Sequence, residues 1–157
     1  MFDFSKIEMT PGYGSNFELG ATTSQIEEIE QYCGHALPEN LKIILQHYNG
    51  GDPEARYFHV KNFDMDIPGE MEISRFFILN DEKDVPANIW WKIKNYGEYM
   101  GPQTVPFASD YAEHIYYLKW VNDVPQVWYL AYQDMEGTET YPVKDSFDDL
   151  LEGLYAE

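Results

Sequence analysis

The chain has 157 residues, a length typical of one domain, and carries 28 Asp and Glu against 10 Lys and Arg, for a formal net charge of -18. This charge argues against unassisted nucleic-acid binding and polybasic membrane attachment, since both need clustered Lys and Arg. Aromatic residues make up 17% of the chain, which favours a folded core over disorder.

The acidic charge is spread along the chain, with -8 in residues 1–80 and -10 in residues 81–157. Cys33 is the only cysteine, so no intramolecular disulfide can form. The start of the chain lacks the basic and apolar pattern of a signal peptide, and no apolar run approaches the ~20 residues of a membrane span. We therefore expect a cytoplasmic protein.

Residues 1–21 are predicted to form an N-terminal extension, with a loop at 11–20. A first helix is predicted to begin at Ser24, because Ser24 and Glu27 have capping-box spacing, and to end at Gly34. Its apolar face consists of Ile26, Ile29 and Cys33. A second helix is predicted to start at Pro38 and to end at Asn49-Gly50-Gly51. Its apolar stripe consists of Leu41, Ile44, Leu45 and Tyr48.

The middle of the chain has the aromatic and branched residues of strands at 56–60 and 73–79, with a turn at Pro68-Gly69 between them. Helical spacing returns at 84–96. Strands follow at 105–108, 114–120 and 126–132, with Asn122-Asp123 as a hairpin connection, and then a short strand at 141–143. A final helix at 146–154 is capped by Ser146. This order predicts a single α+β domain with a mainly antiparallel twisted sheet flanked by helices.

Three segments in this order resemble the SMI1/KNR4 (SUKH) superfamily over residues 22–157. The first runs from Glu30, Gly34 and Leu37-Pro38 to Asn49-Gly50-Gly51. The second is Val105-Pro106-Phe107-Ala108, and the third is a Val-Trp-Tyr strand at 127–129 followed by Ser146-Phe147. Where the family usually has a Gly-Asp turn after the Pro-Phe-Ala segment, residues 110–114 contain no glycine.

The resemblance implies an antiparallel sheet flanked by helices and a non-catalytic binding module. Bacterial members are largely immunity proteins that neutralise toxins, often nucleases. Fungal members are linked to cell-wall glucan synthesis and its signalling. Fold resemblance does not fix function, so both readings stay open.

Catalytic and metal motifs are missing from the sequence, and no cofactor is expected. The four histidines lack metal-ligand spacing, so we expect structural or solvent-facing roles. Cys33 lies near a helix C-terminus on the apolar face, which predicts a buried thiol with a raised pKa. Gly12-Tyr13-Gly14 lacks the third glycine of a dinucleotide motif and is predicted to be loop.

Acidic residues and one tryptophan are the candidate partner contacts: Asp64, Asp66, Trp91, Asp110 and Glu113. Asp64 and Asp66, like Glu70 and Glu72, would share a strand face. Such pairs form a solvated face, a surface for a basic partner, or a hard-cation site. We favour the solvated face first and the basic partner second. Trp91 is either a second core contact or an exposed interface anchor.

The leading hypothesis is an immunity protein whose acidic face covers a basic partner, such as a toxin nuclease. The alternative is a regulatory or scaffold module of cell-wall synthesis. A third possibility, a small-molecule-binding protein or enzyme, depends only on the aromatic content and needs a pocket with convergent polar groups.

Overall fold

The fold was obtained as a computed structural model, which describes residues 2–12, 17–60, 69–133 and 137–156. Its helices are α1 (Thr23–Cys33), α2 (Glu39–His47), α3 (Ile89–Met100) and α4 (Phe147–Glu152). Its strands are β1 (Met9–Thr10), β2 (Asp52–Pro53), β3 (Tyr57–His59), β4 (Glu70–Glu72), β5 (Arg75–Phe76), β6 (Thr104–Ser109), β7 (Ile115–Val121), β8 (Val124–Gln133) and β9 (Gly137–Lys144). The predicted α+β class is confirmed.

Helix α1 has the predicted buried face but begins earlier than predicted. Thr22 is the N-cap instead of Ser24: its hydroxyl accepts from the Gln25 N–H at 3.1 Å, and the Gln25 side chain accepts from the Thr22 N–H at 2.9 Å. The Thr22–Gln25 pair, which sequence reasoning did not identify, has the same spacing as Ser24–Glu27 and forms the capping box. Ile26, Ile29 and Cys33 are buried. Gly34 ends the helix at φ 78°, as predicted.

Helix α3 was predicted at 84–96 but spans Ile89–Met100, so both predicted ends were wrong. It starts at Ile89 because the buried Asn88 caps it: the Asn88 side-chain oxygen accepts from the Trp90 N–H at 2.9 Å. The Asn88 amide also donates to the carbonyls of Asn80 and Glu82, which holds the preceding segment in turns. The helix continues to Met100 and ends at Gly101.

The predicted strand at 73–79 is shorter, since only Arg75–Phe76 pair regularly with β6. The flanking backbone still bonds to β6, through Ser74 N–H to the Ser109 carbonyl and Phe77 N–H to the Phe107 carbonyl, both at 2.9 Å. The strand predicted at 56–60 is Tyr57–His59, which pairs with β4. Pro68, in the predicted turn, lies outside the described residues.

Five antiparallel strands form the central sheet in the order β5-β6-β7-β8-β9. Asn122 and Asp123 join β7 to β8 as predicted, with φ of 52° and 62°. On one face, Tyr116 lies opposite Tyr129 and contacts Phe58 of β3. On the other face, Tyr132 contacts Tyr96 of α3. Strand β9 is longer than the predicted 141–143.

The first residues of the chain pack into this fold. Strand β1 pairs with β2, and Ile7 is buried. Near the other end, Tyr155 exchanges two backbone hydrogen bonds with Tyr57, at 2.9 and 3.0 Å. Within the part of the chain that the structure describes, no helix combines the length and apolar character needed to cross a bilayer.

Candidate functional site

A hydrogen bond between Glu30 and Leu37 closes the segment from Glu30 to Pro38. The Glu30 carboxylate accepts from the Leu37 N–H at 2.7 Å, which fixes the loop between α1 and α2. Leu37 is buried, and Pro38 is the N-cap of α2 where the prediction placed the first helical turn. The acid, the glycine and the Leu-Pro pair therefore work together as a structural unit.

Asn49, Gly50 and Gly51 have positive φ values of 42°, 105° and 108°. The buried Asn49 side chain donates to the carbonyls of Leu19 and Leu79 and accepts from the Leu79 N–H at 2.7 Å. A side chain at Gly51 would also meet the Thr10 carbonyl at 3.0 Å. Here too the motif has a structural role, because it joins α2 to the sheet.

Pro106 and Phe107 mark an irregularity in β6. The pairing register with β7 shifts between Pro106 and Ala108, which accommodates a proline that has no N–H to donate. The Phe107 ring meets Phe147 of α4 edge-on at 5.1 Å. Ser146 caps α4 by accepting from the Asp149 N–H at 3.1 Å, as predicted.

Residues 110–114 form the turn that joins β6 to β7. Asp110 N–H donates to the His114 carbonyl and Glu113 N–H donates to the Asp110 carbonyl, each at 3.0 Å. Glu113 adopts φ 67°, so a non-glycine residue takes the left-handed conformation in this glycine-free turn. The Asp110 carboxylate compensates by accepting from the His114 N–H at 2.8 Å.

The side chain of Tyr129 on β8 hydrogen-bonds to two residues of this turn. Its hydroxyl donates to the second carboxylate oxygen of Asp110 and lies 2.6 Å from Nδ1 of His114. A tyrosine hydroxyl has one hydrogen, so His114 Nδ1 is the donor in the second bond. Burial, reinforced by the bond to Asp110, raises the pKa of Tyr129 well above its usual value of 10. Both Asp110 oxygens are therefore engaged within the protein.

Tyr111, Ala112 and Glu113 are the solvent-facing members of the turn. The Tyr111 side chain is 89% exposed, yet its backbone N–H donates to the Glu72 carboxylate, which also accepts from the Ser74 hydroxyl at 3.0 Å. Glu113 is exposed. Sequence reasoning missed Tyr111, although an aromatic residue between acids in a polar turn was a usable signal.

A cleft of about 280 Å³ opens beside the turn. Its lining residues are Asp52, Arg56, Ser74, Arg75, Ser109, Asp110, Tyr111 and Glu113. A larger hollow of about 580 Å³ lies between the N-terminal residues and α4. Two of its three carboxylates are already bonded within the protein, Asp148 to Asn40 and Asp3 to Ser5, each at 2.7 Å. We take the cleft as the candidate site because it joins the turn and is lined by the predicted contacts Asp110 and Glu113.

Trp91 lies on α3 and does not line the cleft. It is half-buried, with the Tyr96 ring at 6.2 Å and the Lys92 ammonium 5.2 Å from its ring centroid. Burial lowers the pKa of Lys92, and the Glu113 carboxylate opposes that shift. Lys92 therefore contacts the Trp91 ring and is attracted to the Glu113 carboxylate of the turn.

The remaining predicted groups fall elsewhere. Asp64 and Asp66 lie outside the described residues. Cys33 is buried at the end of α1, and burial raises the pKa of its thiol, as predicted. Among residues 2–12, 17–60, 69–133 and 137–156, no three His, Cys, Asp or Glu side chains gather in a way that could hold a metal ion.

Comparison with family models gave one match, the SMI1 / KNR4 family (SUKH-1), over residues 20–153. The chain belongs to this family. The match covers the Glu30-to-Gly51 segment, the Pro106-Phe107 irregularity and the Ser146-Phe147 cap, so these family-motif residues are the ones whose structural roles are described above. The chain matched none of the curated protein sequences with which it was compared.

Proposed function

We propose that this SMI1 / KNR4 family protein is a non-catalytic binding module that recognises a basic protein, most simply a nuclease-type toxin that it neutralises in the cytoplasm. The observation that carries the proposal is the turn at 110–114. It presents an exposed tyrosine and an exposed acid on a backbone fixed by Tyr129 and Glu72.

The physical case for a basic partner begins with charge. A nuclease must present Lys and Arg to phosphate, and a protein of net charge -18 is attracted to such a surface over long range. Charge mainly accelerates encounter, while desolvated aromatic anchors supply much of the affinity. Tyr111 meets the second need, because its rigid attachment lowers the entropy lost when the side chain is buried in an interface.

The same geometry supports a role without catalysis. Asp110, His114 and Tyr129 form an acid–histidine–tyrosine cluster at the turn. They hydrogen-bond to one another, and both Asp110 oxygens are occupied. Because both Asp110 oxygens and the Tyr129 hydroxyl are already engaged, these groups act as a support for the turn.

The proposal is tested by co-expressing the protein with a toxin nuclease domain encoded beside its gene. Wild-type protein is expected to restore growth and to block cleavage of nucleic acid by the purified domain. Tyr111→Ala is expected to lose protection while keeping its unfolding midpoint, because the side chain packs little. Full protection by Tyr111→Ala, or none by the wild type, would reject the proposal.

The alternative is a regulatory or scaffold protein of cell-wall synthesis, which the family also includes. Deletion of the gene separates the two. Weakened envelope integrity with unchanged survival beside competing cells would favour the scaffold role. The immunity role predicts reduced survival beside competing cells with unchanged envelope integrity.

A further inference from the structure

The cleft beside the turn contains both arginines of the chain, Arg56 and Arg75. The chain has only 10 Lys and Arg against 28 acids, so the presence of two guanidinium groups in one small cleft is unlike the rest of the surface. Arginine differs from lysine in presenting a planar fork of N–H donors that matches the two oxygens of a carboxylate or phosphate.

Arg75 is already ordered by the protein. Its Nε donates to the Asp52 carboxylate at 3.1 Å, and the two side chains are about one-third exposed. Gly12 packs against this pair so closely that a Cβ there would lie 2.4 Å from Asp52 Oδ1 and 3.2 Å from Arg75 Nε. The pair is therefore a fixed wall of the cleft, with its own charge balanced.

Arg56 is different, because none of the residues that the structure describes forms an ion pair with it. Its backbone is fixed: the Arg56 carbonyl accepts from the Ile73 N–H at 2.8 Å, directly before the β3–β4 pairing. The side chain is half-buried in the cleft wall. A half-buried arginine that has no ion-pair partner among the described residues is suited to an anion supplied by another molecule.

The charges that line the cleft determine which kind of anion can bind Arg56. Asp52, Asp110 and Glu113 also line it, so a doubly charged phosphate would face three carboxylates. A singly charged carboxylate is repelled less by these three groups than a phosphate is, and its two oxygens still match the fork of the Arg56 guanidinium. The surrounding acids, in turn, favour basic groups on either side of that carboxylate.

We propose that the cleft binds a carboxylate of the partner on Arg56, and that this carboxylate is flanked in the partner by lysine or arginine. The inference depends on the proposed function, since it specifies the basic surface that the protein recognises. The inference predicts that the protein binds one kind of basic partner more tightly than another. A uniformly basic surface would place like charge beside Arg56, whereas a basic surface with one carboxylate opposite Arg56 would form an ion pair with it.

The test uses two synthetic tripeptides with blocked ends, Lys-Glu-Lys and Lys-Gln-Lys, which differ only in the carboxylate. Because the chain has two arginines, the NMR spectrum of arginine Nε–H groups contains two signals, assigned with Arg56→Lys and Arg75→Lys. Lys-Glu-Lys is expected to shift the Arg56 signal saturably and to bind about threefold to tenfold more tightly than Lys-Gln-Lys.

Arg56→Gln is expected to abolish the difference between the two peptides. Lys94→Gln, which removes the same charge from an exposed position on α3, is expected to preserve it. Equal binding of the two peptides by wild-type protein, or an unshifted Arg56 signal at tens of millimolar peptide, would overturn the inference. Inorganic phosphate that shifts the Arg56 signal at lower concentration than acetate would overturn it too.

These outcomes are separate from failure of the proposed function. That function fails if protection against the toxin does not depend on Tyr111, which neither peptide measures. Equal binding of both peptides, combined with a Tyr111-dependent protection, would reject the carboxylate alone and leave the basic partner in place.

Discussion

The hydroxyl of Tyr129 is the single group that most directly holds the 110–114 turn. Tyr129→Phe removes its bond to the Asp110 carboxylate and its 2.6 Å bond to His114. The Asp110 side chain is 14% exposed, so water replaces these bonds only in part. Hydrogen bonds to charged groups contribute about 1.5–3 kcal/mol, and we expect the free energy of unfolding to fall by about 2 kcal/mol.

Urea unfolding followed by tyrosine and tryptophan fluorescence measures this change. With a slope of about 2 kcal/mol/M, the midpoint is expected to drop by about 1 M at unchanged slope. Tyr141→Phe is the matched control. Its ring lies 5.5 Å from that of Tyr129, but its hydroxyl makes no hydrogen bond to the residues that the structure describes. It should change stability by less than about 0.5 kcal/mol. Equal effects of the two variants would refute the assigned role of Tyr129.

Three further predictions concern the family motif and the core. Glu30→Ala should lower the free energy of unfolding by about 1–3 kcal/mol in urea, because the buried Leu37 N–H loses its acceptor, whereas Glu27→Ala on the exposed side of α1 should not. Cys33 should react with a thiol reagent only at the rate of unfolding, since it is buried with a raised pKa; rapid reaction in native protein would contradict this. Burial raises the pKa of Tyr117 from 10 to about 12. The free energy of unfolding should therefore be unaffected by ionisation of Tyr117 below pH 10 and should decline between pH 10 and 12, as measured by urea midpoints. The Tyr117→Phe variant should decline less steeply.

The helices show how far periodicity alone carries a prediction. The buried faces of α1 and α2 follow from spacing, because a 3.6-residue period places Ile26, Ile29 and Cys33 on one side. The ends do not follow. Two residue pairs at the start of α1 have capping-box spacing, and only Thr22–Gln25 forms the box. The start of α3 depends on Asn88, whose amide donates to the carbonyls of Asn80 and Glu82. Those contacts depend on how the preceding turns fold.

The candidate site was only partly predictable for a related reason. Asp110 and Glu113 could be selected because they follow a family segment directly. The cleft also needs Asp52, Arg56 and Arg75, which the pairing of β3 with β4 and of β5 with β6 brings beside the turn. No pattern in the sequence marked either arginine as a site residue, because the two come together only when the strands pair.

The central claim is that the protein meets a basic partner through the turn at 110–114. Glu113 and Asp123 offer a matched pair, because both are exposed turn residues with φ of 67° and 62°, at opposite ends of β7. The decisive measurement is calorimetric titration of wild-type protein, Glu113→Lys and Asp123→Lys with a nuclease-type toxin domain that the wild-type protein neutralises. The account predicts at least about tenfold weaker binding for Glu113→Lys at low salt and a change of less than about twofold for Asp123→Lys. Equal losses would contradict it, because they would show that net charge alone, and not this turn, determines the affinity.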